Sequence, residues 1–193
     1  LRNSSAASDV YKRQILHYLV ETQHHKLQHI TSIERLLEAD FVWMDEFTIR
    51  NLELYHSNNQ NAVTLIQVID KTLSPMGGRL LKRWLALPLK SVKDIKDRHG
   101  VVFYFYENES TLINLQSHLK GIGDLERLIS KVATTKVNPR EVVQLKNSLE
   151  QLLPVKTIAS ESNQAALNLI GKKIHNCEEL RSKISATLNE EAP

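Results

Sequence analysis

One cysteine, Cys177, in 193 residues leaves no partner for an internal disulfide. The fold must therefore hold by packing, and a single thiol fits a reducing compartment. No run of about 18 apolar residues occurs, so no segment is built to cross a membrane as a helix. Charge of one sign is also wanting: the formal net charge is only +3, too small to argue a nucleic-acid binder by itself. The chain carries no G-x-x-x-x-G-K-[ST] phosphate loop, no H-E-x-x-H zinc pattern and no nucleophile with a base beside it. No repeat of fixed period is evident.

What is present is enough apolar material, 41% of residues, for a sizeable core. It is arranged in stripes at spacings of three and four. Met76, Leu80, Trp84 and Leu87 form one, with Leu81 and Leu85 beside it; Arg79, Lys82 and Arg83 fall away from its centre. Ser74 before Pro75 predicts its start, because serine accepts from the free first-turn N–H groups and proline needs no donor there. Pro88 predicts its end. Ser91, with Asp94 three residues on, predicts the next helix, with Ile95, Val102 and Tyr106 as its buried face.

Further on, Leu112, Leu115 and Leu119 form a stripe that Gly121-Ile122-Gly123 breaks, and Asp124 caps the following one, Leu125, Leu128, Ile129 and Val132. Asn138, Pro139 and Glu141 open a helix whose face is Val142, Leu145, Leu149 and Leu152, and Pro154 is expected to end it. Ala166, Leu169, Ile170 and Ile174 make another stripe, and Leu180, Ile184 and Leu188 the last. Helix follows helix through short links, so the predicted class is all-α. At most one short strand is expected, at Phe41-Val-Trp-Met44, ahead of a helix capped by Asp45. Tyr55 to Asn61 reads as a polar loop, and Val63 to Ile69 as a short helix. Arg50 and Glu53 are placed to pair on the helix before that loop.

Three clusters invite a sharper chemistry. Gly77-Gly78 invites a phosphate-loop reading, but no strand precedes it; small residues that let the helix approach a neighbour closely are the better reading. Within Ile15 to Ile30, a helical pattern, His25 and His29 share a face near His24, but a third metal ligand is wanting; solvated or half-buried histidines are expected, with some pH response near 6.5. Glu126 and Arg127 could be read as an acid–base pair, but a solvated or helix–helix salt bridge is the expectation. Between Asp70 and Arg98 eight Lys or Arg stand against three Asp. Lys82, Arg83, Lys90, Lys93 and Lys96 thus form a basic face that fits phosphates, solvent or acidic groups on another domain.

Four ordered segments carry a resemblance. They are Thr48-x-Arg50-Asn51-Leu52-Glu53-Leu54; Ser74-Pro75-Met76-Gly77-Gly-Arg79-Leu80-Leu-Lys-Arg-Trp84-Leu85-x-x-Pro88-Leu89; Gly123-Asp124-Leu125-Glu126-Arg127; and Asn138-Pro139-Arg140-Glu141. Together they resemble the MutS family of DNA mismatch-repair proteins, over roughly residues 15 to 190. The resemblance implies that 15–40 is the end of the connector and 41–193 the first part of the helical core or lever domain, stopping mid-domain. Residues 1–14, without periodicity or an initial methionine, are expected to be a non-native, adapter-like head on a gene fragment.

The resemblance implies a structural and allosteric segment that links a DNA clamp to an ATPase dimer, with no chemistry of its own. ATP and Mg would then belong to the parent protein. Its partners would be the other parental domains, a dimer partner, mismatched double-stranded DNA and a MutL-type protein, in the bacterial cytoplasm at the nucleoid. The alternatives are a sequence-independent DNA-binding module using residues 71–98, or the core of a recombination-type homologue.

Overall fold

The longest helix among the described residues sets the frame. Asn138 Oδ1 accepts from the Glu141 N–H at 2.8 Å, and the Glu141 carboxylate accepts from the Asn138 N–H at 3.2 Å. With Pro139 at the first position, this start launches a helix of 22 residues, Pro139–Ser160, about 33 Å long.

The computed structural model describes residues 13–15, 17, 18, 21, 40–59 and 61–189. Their helices are α1 (Glu46–Asn51), α2 (Leu65–Ile69), α3 (Pro75–Ala86), α4 (Val92–Glu107), α5 (Glu109–Lys120), α6 (Leu125–Ala133), α7 (Pro139–Ser160), α8 (Ala165–Lys173) and α9 (Glu178–Thr187). The class is all-α. Residues 13–15, 17, 18 and 21 are helical too, whereas His24, His25, His29 and most of the Ile15–Ile30 pattern lie outside the described residues. At Phe41 the expected strand reduces to a single antiparallel bridge with Leu89.

α7 is the central rod. It packs most extensively on α8, and also on α5, α9 and α6, while α4 joins α5 and α8. Its buried residues include Val143, Leu145, Lys146, Ser148 and Ala159. Being enclosed from several sides explains why one apolar stripe does not describe it. Pro154 sits inside this helix and does not end it. A proline removes only one helical hydrogen bond, and packing on both sides of it keeps the rod continuous.

Other faces also turn differently from the sequence expectation. On α4, Val102 and Tyr106 are 68% and 78% exposed; Ile95, Val101, Tyr104 and Phe105 are the half-buried side. On α6, Leu128 is buried while Ile129 and Val132 are exposed. On α8, Leu169 and Ile170 are exposed, and Leu167 and Gly171 face α7. Gly171 is the reason. A Cβ there would stand 2.5 Å from the Ser160 nitrogen, so the glycine marks the line of closest approach between the two helices.

Predicted caps formed at Asp45, Ser74, Ser91, Asp124 and Asn138, each side chain accepting from a first-turn N–H. The predicted pairing of Arg50 with Glu53 did not form. α1 stops at Asn51, Glu53 turns to φ 50°, and its carboxylate accepts from the Ser57 hydroxyl at 2.6 Å. Among the described residues the Gly77-Gly78 pair meets no neighbouring helix: Asp70, Thr72 and Ser74, in the link leading into α3, are what lie against it.

Candidate functional site

Two segments that lie about forty-five residues apart in sequence meet at Arg79. On α3, its guanidinium donates to both carboxylate oxygens of Asp124, at 2.8 and 2.7 Å, and to Glu126 at 3.0 and 2.5 Å. A planar fork on two acids is the strongest polar geometry available to an arginine. Asp124 has a second duty, since it caps α6 by accepting from the Arg127 N–H at 3.3 Å. Its side chain is 16% exposed. Bonding to Arg79 holds its carboxyl down to about 2, and raises Arg79 in turn. Arg127, at 3.4 Å from Asp124, adds a weaker, exposed contact. The salt bridge of Glu126 is thus of the helix–helix kind, and its partner is Arg79 on α3.

The same region carries a cation–π stack. The Arg98 guanidinium of α4 lies 3.6 Å from the ring centroid of Trp84 on α3. Burial lowers the Arg98 pKa from its ordinary value. No periodicity argument pairs Arg98 with Trp84, because the two sit on different helices across the Pro88 turn. The polar seam of α6 and α7 was equally hidden. The Gly123 N–H donates to Ser148 Oγ at 3.0 Å, and that hydroxyl donates to the Gln144 carbonyl at 2.9 Å. Ser148 is 1% exposed, and a side chain at Gly123 would crowd it. Lys131 also pairs with Glu141, tying α6 to the start of α7 and lowering the Glu141 pKa.

The remaining residues singled out from sequence are dispersed. Arg50, Asn51 and Leu52 are exposed at the end of α1. Pro75 opens α3; Met76, Gly77 and Leu85 are half-buried, whereas Leu80 is exposed. The Pro88 carbonyl accepts from Val42 N–H at 2.7 Å, and Leu89 bridges to Phe41. Leu125 is half-buried in the first turn of α6, and Pro139 is exposed at the first position of α7. Lys82, Arg83, Lys90, Lys93 and Lys96 are all exposed. Among the described residues no three His, Cys, Asp or Glu side chains are grouped to hold a metal ion, and no helix is long and apolar enough to cross a membrane.

Fold and site together define an all-helical scaffold, with conspicuous polar groups forming ties between helices. Comparison with known proteins specifies which. The model of MutS domain III matches residues 47–193. Proteins named DNA mismatch repair protein MutS are similar at high identity: 63% in Flavobacterium johnsoniae and 60% in Flavobacterium psychrophilum, each over 179 residues, and 47% over 195 residues in Bacteroides thetaiotaomicron. These alignments cover 93%, 93% and 100% of this chain, but 21%, 21% and 22% of those relatives. The chain belongs to the MutS family, and spans about a fifth of the length of the curated relatives it matches.

Proposed function

We propose that this chain is a stiff helical core segment through which a MutS-type parent couples its hold on mismatched DNA to its ATPase state. The observation that carries the reading is the α7 rod, clasped along its length by neighbouring helices and fed by the Arg79 clasp at α6. Close-packed helices deform little, so a displacement at one end reappears at the other. The chain supplies no catalytic group in this reading. ATP and Mg²⁺ act elsewhere in the parent, which works in the bacterial cytoplasm at the nucleoid with a dimer partner and a MutL-type protein. Residues 15–40 serve as the end of the connector and 41–193 as the start of the lever.

The test uses the full-length parent carrying Arg79→Ala. Mismatch affinity without nucleotide and ATP hydrolysis without DNA should each persist, while the ATP-dependent change in DNA affinity shrinks. Unchanged coupling overturns the reading. A second reading rests on the exposure of Lys82, Arg83, Lys90, Lys93 and Lys96: direct, sequence-independent DNA binding by the chain itself. It requires binding of matched and mismatched duplexes alike by the chain itself, falling steeply with salt.

A further inference from the structure

A cleft of about 430 Å³ opens between α3 and the α1–α2 link, lined by Tyr55, His56, Ile66, Lys82, Arg83 and Ala86. Its walls are pinned at several points. The Tyr55 hydroxyl donates to the Lys82 carbonyl at 2.5 Å, crossing the cleft's edge from link to helix. Burial raises the Tyr55 pKa, so this hydroxyl stays a donor. Behind it, the Leu65 and Ile66 N–H groups donate to the Glu53 and Leu54 carbonyls at 3.2 and 3.1 Å. Glu53 itself is held in the left-handed region, φ 50°, a strained conformation for a non-glycine residue that persists only where its surroundings impose it. The Ser57 bond is part of what imposes it.

The lining is chemically one-sided. Ile66, Ala86 and the Tyr55 ring make an apolar floor, while Lys82 and Arg83 stand on the rim and no acid contributes. Neither cation has an acidic partner within 4.0 Å among the described residues, and the compensating charge is a longer-range attraction between Lys82 and Asp70. A preformed apolar floor with a cationic edge selects an apolar group carried beside a negative charge.

We propose that this cleft docks a protein segment that presents a carboxylate next to a large apolar side chain. The occupant is taken from the roughly four-fifths of the parent polypeptide that lies outside this chain. That assignment rests on the scaffold reading, whereas the chemistry of the cleft does not. Nucleic acid fits less well, because a phosphate gains nothing from Ile66 and Ala86, and the cleft is a pocket for side chains, not a track for a backbone.

The probe is the acetylated, amidated peptide Glu-Phe-Asp-Leu-Glu, titrated into the chain and followed by amide-resolved NMR. Saturable shifts should centre on Tyr55, Ile66, Lys82, Arg83 and Ala86. Lys82→Glu with Arg83→Glu should weaken binding about tenfold or more, while Lys93→Glu with Lys96→Glu, the same charge change on α4, should leave it within about twofold. Replacing the peptide's Phe and Leu by Ser should also abolish saturation. No saturable shift, or equal loss in both reversed pairs, overturns the proposal. So does displacement of the peptide from these amides by a short random DNA duplex, which would assign the cleft to nucleic acid. Far-UV circular dichroism establishes that each variant is folded. Failure here leaves the coupling experiment on the parent untouched, so the two readings fail separately.

Discussion

Replacing Gly171 by alanine is expected to destabilise the domain, against the usual direction for a glycine inside a helix. Alanine has a helix propensity about 1 kcal/mol better than glycine. At Gly171 the added Cβ would lie 2.5 Å from both the nitrogen and the hydroxyl of Ser160, and 2.9 Å from the Ala159 carbonyl carbon. Two of these atoms are backbone and cannot rotate away. Ordinary contact needs about 3.5–4.0 Å, so α7 and α8 must part by about 1 Å. That movement loosens Leu167 and Ala159, both buried, and pulls the Asn168 amide from the Ser160 carbonyl it bonds. Overpacking of this kind costs about 1–3 kcal/mol, and the strained hydrogen bond about 1 more, against a propensity gain of at most about 1.

The net is a loss of about 1–3 kcal/mol, or a fall in melting temperature of roughly 2–10 °C for a domain of this size. Gly78→Ala is the matched control. Its nearest contacts are Thr72 Oγ1 at 3.3 Å, on an exposed side chain that can shift by a few tenths of an ångström, and Asp70 at 3.7 Å, so it should be neutral or stabilising by about 0.5 kcal/mol. Urea and thermal unfolding followed by far-UV circular dichroism decide the matter. A Gly171→Ala variant as stable as the unaltered chain would refute the reasoning, as would equal shifts at both positions.

Three further outcomes follow from the same geometry. The Asp124 carboxyl is lowered from 3.8 to about 2 by Arg79, so its contribution is complete above about pH 4 and lost as pH falls towards about 2; the urea midpoint should drop over that interval, and less so in Asp124→Asn. Pro154→Ala restores a helical N–H in the middle of α7, and should stabilise the chain by about 1–2 kcal/mol once the proline's restriction of the unfolded state is deducted; a destabilised variant would mean that α7 needs the proline. Arg98→Ala removes the stack on Trp84, worth about 0.5–1 kcal/mol at a partly exposed site, and in a Trp43→Phe background should shift Trp84 emission; an unchanged spectrum would mean that the stack does not persist in solution.

How far the fold could be read in advance varied with the physics involved. The caps at Asp45, Ser74, Ser91, Asp124 and Asn138 were legible because each is a bond between residues three apart. The all-α class was legible because a three-to-four spacing of apolar residues has one regular solution. Which side of each helix is buried was less so. A chain rich in apolar residues offers several stripes per helix, and Ile129, Val132, Leu169 and Ile170 lie on ones that stay exposed. Pro154 misled for a related reason: a local rule weighs the lost hydrogen bond but not the packing that offsets it. The meeting of Arg79 with Asp124 and Glu126 joins two segments whose resemblance was recognisable separately, yet nothing in either names the other as its partner.

The amino-acid sequence by itself determined that this is a helical domain of the MutS family, and where α1, α3, α4, α6 and α7 begin. These are properties of short segments, settled by bonds within one turn or by the identity of neighbouring residues. Only the tertiary structure decided that α7 is the rod, that Gly171 sets how closely α8 approaches it, that Ser148 is buried, and that Tyr55 and Lys82 meet at the edge of a cleft. Each depends on atoms brought together across tens of residues. Such contacts arise when many weak burial preferences are satisfied at once, and no local spacing records the outcome.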